Sequence, residues 1–475
     1  MGFLPGAIAT GSVALIIERC RVGVGFRGNL RPCIQRLQMM EVTQAQLDAH
    51  WMPFTANRQF KKDPRMIHEA DGRYYKDADG RKVFDGLSGL WTCGLGHNVS
   101  KINEAITSQL STLDMSPSFQ FGHPKSFQLA ERITDFTPEE LNRVFFTCSG
   151  SEAVETALKI ARAYWRKKNM PSKSKLIGRV KGYHGVNFGG ISVGGIGANR
   201  AIFGETLTVD HLRHTMLESN VFTRGQPEEG ADLAEELLEL IGLHDASNIA
   251  AVIVEPMPGS AGVIPPPVGY LNRLREICTQ HNILLIFDEV ICGFGRLGAK
   301  SGADAFGVTP DIMTIAKQVT NGVIPMGAAI VRQEIYDAFM DTDAPEYMLE
   351  FPHGYTYSAH PVACAAGLAT LDVIEDEDML GRVRNISPYF ESLLHGLQNC
   401  PHVTDIRNYG LAGGITLEHY PGEPARRPYE VAMKMWEKGF YVRYGADTIQ
   451  LAPAFTVEET EIDNLVNALA DCLSR

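Results

Sequence analysis

Lys317 is the residue best placed for chemistry. It follows the apolar run Ile312-Met313-Thr314-Ile315-Ala316 and precedes Thr320-Asn321-Gly322. Such a run reads as a short buried strand ending in a lysine, and lysine is rarely buried without a partner. A Schiff base with an aldehyde removes the difficulty, because the amine then belongs to the aldehyde's carrier. Asp288 sits at a second strand end, directly after Ile283-Leu284-Leu285-Ile286-Phe287. Open α/β sheets bind ligands beyond the carboxyl ends of their strands, and an acid there can hold a protonated ring nitrogen. A third feature is Phe145-Phe146-Thr147-Cys148-Ser149-Gly150-Ser151-Glu152, followed by Val154, Ala157, Leu158 and Ala161 at helical spacing. Free N–H groups and the dipole at such a helix start favour a phosphate. Gly150 lets the backbone come close, and the Ser151 hydroxyl can donate.

Each feature alone has an ordinary explanation as a helix cap, a surface acid or a solvated lysine. Together, in chain order, they suit the phosphate, pyridine nitrogen and aldehyde of pyridoxal phosphate (PLP). Gly293-Phe294-Gly295-Arg296-Leu297-Gly298 matches G-x-G-x-x-G. A dinucleotide fingerprint follows its strand at once and has an acid about 20 residues on. Here five residues, Asp288 to Cys292, intervene and the acid is missing, so a nucleotide site is not expected.

These residues need a scaffold, and the rest of the 475-residue chain supplies one. Ala250-Ala251-Val252-Ile253-Val254 and Ile283 to Phe287 read as buried parallel strands. Tyr270 to His281, between them, has helical spacing, which makes a βαβ unit. Ile102 to Leu113 and Glu152 to Trp165 also read as helices. Asp71-Gly72 and Asp79-Gly80 mark hairpin turns within residues 65–86. The expectation is an α/β fold with a large, mostly parallel sheet over residues 101–360. A smaller α+β domain would come from both chain ends, residues 41–100 and 361–475.

Composition narrows the classes. A net charge of −12 gives no basic field for nucleic acid or an anionic membrane. The first 40 residues hold five arginines and a single acid, Glu18. They read as a basic leader resembling a transit peptide, or as residues preceding a true start at Met39 or Met40. The apolar run from Ala7 to Ile17 is too short to span a bilayer. Nine scattered cysteines, none at Cys-x-x-Cys spacing, suggest neither a disulfide framework nor a metal site. A reducing, cytoplasmic setting fits them.

From about His50 to the C-terminus the sequence resembles the class III aminotransferases of the fold-type-I PLP superfamily. The strings that carry the resemblance are His50-Trp51-Met52-Pro53-Phe54-Thr55, Leu90-Trp91-Thr92-Cys93-Gly94, Lys317-Gln318-Val319-Thr320-Asn321-Gly322 and Gly354-Tyr355-Thr356-Tyr357-Ser358-Ala359-His360-Pro361. The resemblance implies that Lys317 carries the cofactor and moves the substrate proton. It implies that Asp288 pairs with the ring nitrogen and that Gly150 and Ser151 hold the phosphate. Tyr183 would stack on the ring, with Val290 on the opposite face. Thr356 would reach the phosphate of a neighbouring subunit, so a homodimer or homotetramer with shared sites is expected.

The reaction implied is ping-pong transfer of an amino group from an ω-amino acid such as β-alanine, or another primary amine, to pyruvate. An aminomutase, a decarboxylase, or a taurine or diamine donor remains an alternative. Relatives that handle glutamate tend to carry Glu in a Glu-Pro-x-x-Gly-Glu-Ala-Gly string, paired with an Arg near the C-terminus. Here Ser260 and Gln450 stand at those places. Arg443 matches a residue that binds substrate carboxylate, and Trp91, Tyr183, Arg443 and Gln450 would line the substrate side. Two departures from the pattern are Ile291, where many members have Gln, and Cys148, where an acid is common.

Overall fold

The strand Ile249–Val254 is apolar and buried at every position, as are Leu284–Asp288 apart from its terminal acid and Ile312–Ala316 apart from Thr314. Strands covered on both faces need helices above and below. The computed structural model, which describes residues 42–204 and 206–474, supplies them. The expected leader, residues 1–40, lies outside the described residues.

Seven strands form the main sheet in the order Leu141–Thr147, Gly327–Arg332, Ile312–Ala316, Leu284–Asp288, Ile249–Val254, Lys175–Arg179, Val209–Leu212. Neighbours are parallel except for Gly327–Arg332, which runs antiparallel to both of its partners. The βαβ unit is present, with its helix at Tyr270–Gln280. The helices Ser100–Thr112 and Gly150–Lys167 also form, within two residues of the expected ends.

Two four-stranded sheets complete the unit. One joins Ile67–Asp71, Tyr74–Asp77 and Lys82–Asp85 to Phe440–Tyr441. The turns between its first three strands use Gly72 and Gly80 at φ 55 and 76, where glycine avoids the Cβ clash. The other sheet joins Val403–Tyr409, Ala412–Leu417, Thr448–Leu451 and Arg443–Gly445. The fold is therefore α/β, with a large sheet and smaller sheets built from both ends of the chain.

By its contacts the chain divides into Met1–Met66 and Ile67–Arg475. The described part of the first unit holds the short helices Gln44–Ala49 and Asn57–Phe60. Thr43 and Gln46 form a capping box on the first helix. The Asn57 side chain ties off Met52 through both its N–H and its carbonyl. Among the described residues, no helix is long and apolar enough to cross a membrane.

Candidate active site

The strand carrying Lys317 ends one residue earlier than expected, at Ala316. Lys317 instead opens a single 3-10 turn, Lys317–Thr320, with φ 51. A left-handed lysine costs about 1–2 kcal/mol. The turn is pinned against that strain by its side chains. Gln318 Oε1 accepts from Gly94 N at 2.7 Å, Asn321 Oδ1 accepts from Leu95 N at 3.0 Å, and Asn321 Nδ2 donates to Gly96 O at 2.8 Å.

A comparison with Lys173 shows what is unusual at Lys317. Lys173 is 2% exposed and donates to three carbonyls, of Ala246, Ile249 and Asn282, at 2.7–3.1 Å. Burial lowers its amine to about 8, but all three of its hydrogen bonds are to backbone and its role is structural. Among the described residues the Lys317 amine has no hydrogen-bond partner, and it opens into a cleft. Burial pushes it down to about 8, with Asp288 opposing and Arg443 reinforcing that shift. An amine so held is still mostly protonated at pH 7, but its neutral, nucleophilic fraction, roughly a tenth, far exceeds that of an ordinary lysine.

Asp288, 4% exposed, closes its strand as expected. Its Oδ1 accepts from Val290 N at 3.2 Å, and its Oδ2 lies 2.9 Å from His184 Nδ1. Glu255, 4% exposed, directly follows the neighbouring strand Ile249–Val254. It accepts from Tyr183 N at 2.9 Å and from Gly259 N at 3.3 Å. Burial pushes its carboxyl up to about 7, opposed by His184 and reinforced by Asp288. Burial also raises the Tyr183 phenol, against the nearby charge of Arg443.

The helix Gly150–Lys167 starts at the same cleft. Ser149 caps it, accepting from Glu152 N at 3.2 Å. The N–H groups of Gly150 and Ser151 are the first of the helix and have no partner within it. A Cβ at Gly150 would meet the two Val290 methyls at 3.0 and 3.1 Å, so any side chain there would crowd Val290 at the mouth of the helix start. Ser151 Oγ accepts from Val186 N at 3.1 Å, which leaves its proton free to donate. The Cys148 departure leaves this start intact, because Glu152 Oε2 reaches back to Cys148 N at 2.7 Å.

Six expected residues, Gly150, Ser151, Tyr183, Asp288, Val290 and Lys317, therefore line one cleft. His184, Gly185, Glu255 and Ile291 complete it. Arg443 is close enough for its charge to act on both Tyr183 and Lys317, and it pairs across strands with Gln450. Gln450 is fully buried, and its Nε2 donates to Ser260 O at 2.9 Å. Trp91 does not line the cleft; its ring is 3% exposed, in a cluster with Met257, Ile291 and Cys292. Thr356 lies in an exposed turn and does not line it either.

Two cleft residues were missed as functional candidates. His184 follows Tyr183 directly, and Glu255 is a strand-end acid placed as Asp288 is. That second signal was readable in Ala250 to Val254. Ile291 offers the cleft only hydrocarbon where many family members have an amide.

A strand-end lysine, a strand-end acid and a capped helix start around one cleft define the site of a PLP enzyme on an α/β scaffold. Residues 55–473 match the family described as aminotransferase class-III, and the chain belongs to that family. It is 60% identical to a beta-alanine–pyruvate aminotransferase of Pseudomonas aeruginosa, over 91% of this chain and 97% of that one. It is 59% identical to an omega-amino acid–pyruvate aminotransferase of Pseudomonas putida, again over 91% and 97%. Among solved structures it is similar to a PLP-bound amine transaminase from an uncultivated Pseudomonas species. The TM-score is 0.83 at 37% identity, covering 90% of this chain and 98% of that one.

The cofactor is pyridoxal phosphate, and the residues present fit it. The glycine-floored helix start suits a phosphate, the unpartnered amine suits an aldehyde, and the buried carboxylate suits a ring cation.

Proposed function

We propose that this enzyme moves an amino group from β-alanine, or a similar ω-amino acid or primary amine, to pyruvate, giving alanine. Bound PLP supplies an aldehyde for amines and a ring that takes up electron density when a Cα–H bond breaks. Lys317 holds the cofactor aldehyde between turnovers, and its neutral amine then takes and returns the substrate proton. Asp288, kept in place by His184, holds the proton of the ring nitrogen. Gly150 and Ser151 would hold the phosphate, and Tyr183 and Val290, which line the same cleft, would flank the ring. Arg443 binds the carboxylate of pyruvate with its planar fork.

The observation that carries the choice of acceptor is the Gln450–Ser260 contact. A neutral side chain bonded to a backbone carbonyl at 2.9 Å occupies the place of an arginine–glutamate pair. A second carboxylate, as in 2-oxoglutarate, would be buried there without a cation. Leaving it so costs about 3 kcal/mol, a preference for pyruvate of about a hundredfold. The test is kcat/KM for pyruvate and 2-oxoglutarate with wild type and Arg443→Ala. The variant is expected to lose most of its use of pyruvate. Equal use of both acceptors by wild type, or an unimpaired variant, overturns the reading.

The exposed turn holding Thr356 supports a shared site in a homodimer, with Thr356 serving the neighbour's phosphate. Mixing a Lys317→Ala chain with a Thr356→Ala chain is expected to restore activity, because one of the two sites in each mixed dimer is then intact. No recovery after subunit exchange, verified by mass, counts against sharing. No disulfide joins any two of the seven described cysteines, which supports a reducing, cytoplasmic setting.

A further inference from the structure

Three neighbouring strands of the main sheet, Lys175–Arg179, Ile249–Val254 and Leu284–Asp288, run parallel and end side by side. Their ends bring together a cation, Arg179, and two acids, Glu255 and Asp288. Asp288 has a use in the proposed reaction. Glu255 has none so far, yet it is a costly residue to bury. It lines the cofactor cleft, and the charge of Asp288 beside it adds to the penalty that burial puts on its ionised form.

The contacts of Glu255 explain why an acid stands there. Its Oε1 accepts from Tyr183 N at 2.9 Å, and its Oε2 accepts from Gly259 N at 3.3 Å. Tyr183 N has no other acceptor among the described residues. The Tyr183 segment also carries His184, the partner of Asp288. Gly259 precedes Ser260, whose carbonyl accepts from Gln450 Nε2 at 2.9 Å, and Gln450 pairs across strands with Arg443. One carboxylate thus joins the segment that would flank the ring to the turn on the acceptor side. Two N–H groups need two acceptor oxygens. A carboxylate has two, and an amide of the same shape has one.

The turn that follows Glu255 is rigid enough to serve as an anchor. Arg179, 1% exposed, donates from Nη2 to the Glu255 carbonyl at 2.7 Å. Gly262 N and Val263 N donate to Gly259 O at 3.1 and 3.2 Å. The buried Arg407 side chain donates to both Gly262 O and Val263 O. A Cβ at Gly259 would meet the cleft residue Ile291 at 2.7 Å, so the turn is packed against the cleft wall. Glu255 holds the Tyr183 segment against this fixed part.

We propose that Glu255 is a positioning residue for transamination, whose carboxylate clamps the Tyr183 segment to the Ser260 turn and so sets the spacing of the ring-side and acceptor-side walls. What the role needs is reach and two acceptor oxygens rather than charge alone. The proposal rests on the reading of Tyr183 as a neighbour of the ring and of Arg443 as the acceptor's partner.

The test compares wild type, Glu255→Gln and Glu255→Asp, each loaded with PLP. The glutamine variant keeps the length but can accept from just one of the two N–H groups. It is expected to fold, because it removes a buried charge. The aspartate variant keeps the charge but is one methylene shorter and cannot span both groups. In each variant the visible circular dichroism of the bound cofactor is expected to lose amplitude as Tyr183 loosens. KM for pyruvate is expected to rise about tenfold, the worth of one hydrogen bond. kcat should stay within about threefold of wild type, because Lys317 and Asp288 are untouched. A residue that merely supports the fold would lower Tm and leave dichroism and KM alone. A glutamine variant with wild-type dichroism and a KM within about twofold of wild type overturns the proposal. So does an aspartate variant that behaves as wild type, because charge would then suffice without the span. Each variant can overturn it alone. The acceptor reading is judged separately, by wild type's own choice between pyruvate and 2-oxoglutarate, so the two can fail independently.

Discussion

Lys317→Ala is expected to lower kcat by about four orders of magnitude or more while the protein stays folded. Proton transfer by a positioned group supplies about 10² to 10⁴ of rate, and the attachment of the cofactor is lost as well. Arginine cannot replace the lysine, because its guanidinium keeps its proton and is a poor nucleophile. Folding is not at risk. Alanine accepts φ 51 at about the cost that lysine does, since the strain comes from Cβ.

The cofactor-free variant should even be more stable than cofactor-free wild type. The folded protein lowers the Lys317 amine from 10.5 to about 8, a penalty of about 3 kcal/mol for the charged form. Because the folded state binds this proton more weakly than the unfolded state, the penalty is complete below about pH 8. It fades as pH rises from there toward 10.5, where both states are neutral. The gain in Tm from Lys317→Ala should shrink over that window. Substantial activity in the variant, with the cofactor absorbance of wild type, would show that the amine belongs to another residue.

The parts of this fold that could be read from the chain are those where one physical demand dominates. Ile249–Val254 and Leu284–Asp288 are apolar because helices cover both faces, so a continuous run marks them. The helix Tyr270–Gln280 between them is amphipathic because one face is dry. Lys317 and Asp288 stood out because they end such runs. Residues whose place depends on distant chain were not legible. Trp91 carries a family string, yet its ring goes into a cluster with Met257 and Ile291, from segments about 165 and 200 residues away. His184 gave no sign of its bond to Asp288, 104 residues on. The approach of Arg443 to Lys317 also depends on how the last sheet docks, whereas its pairing with Gln450 is made within a local hairpin that turns at Ala446 and Asp447.

The strand end of Lys317 was misjudged by one residue for a related reason. Hydrophobicity continues smoothly through Ala316, and nothing local announces a left-handed lysine. The conformation is imposed by Gln318 and Asn321, which bond to Gly94, Leu95 and Gly96 more than 220 residues earlier. A strained residue held by long-range hydrogen bonds is where a propensity argument is expected to fail.

Asp288→Asn is expected to keep the fold and lose about 10³ in kcat. The substitution keeps the shape of the side chain, removes its charge and turns one acceptor oxygen into an NH2 donor. A neutral His184 can accept from that group at Nδ1, while the remaining oxygen still accepts from Val290 N. An ion pair at 4 Å is worth about 4 kcal/mol at an effective dielectric of 20, which is about a thousandfold in rate when the charge is needed to stabilise the transition state. KM for pyruvate should change little, because Arg443 binds the acceptor's carboxylate. Asp288→Ala should do further harm of a different kind. His184 is 1% exposed, and its Nε2 already has no partner. Removing the carboxylate from Nδ1 leaves the ring with no bond at all, at a cost of about 1–3 kcal/mol in stability. The two variants therefore separate the roles of the carboxylate. The asparagine variant should melt close to wild type and turn over slowly, and the alanine variant should be slow and also melt several degrees lower. The measurements are kcat, KM and Tm for both. An Asp288→Asn enzyme with kcat within tenfold of wild type would show that the ring nitrogen does not depend on this charge.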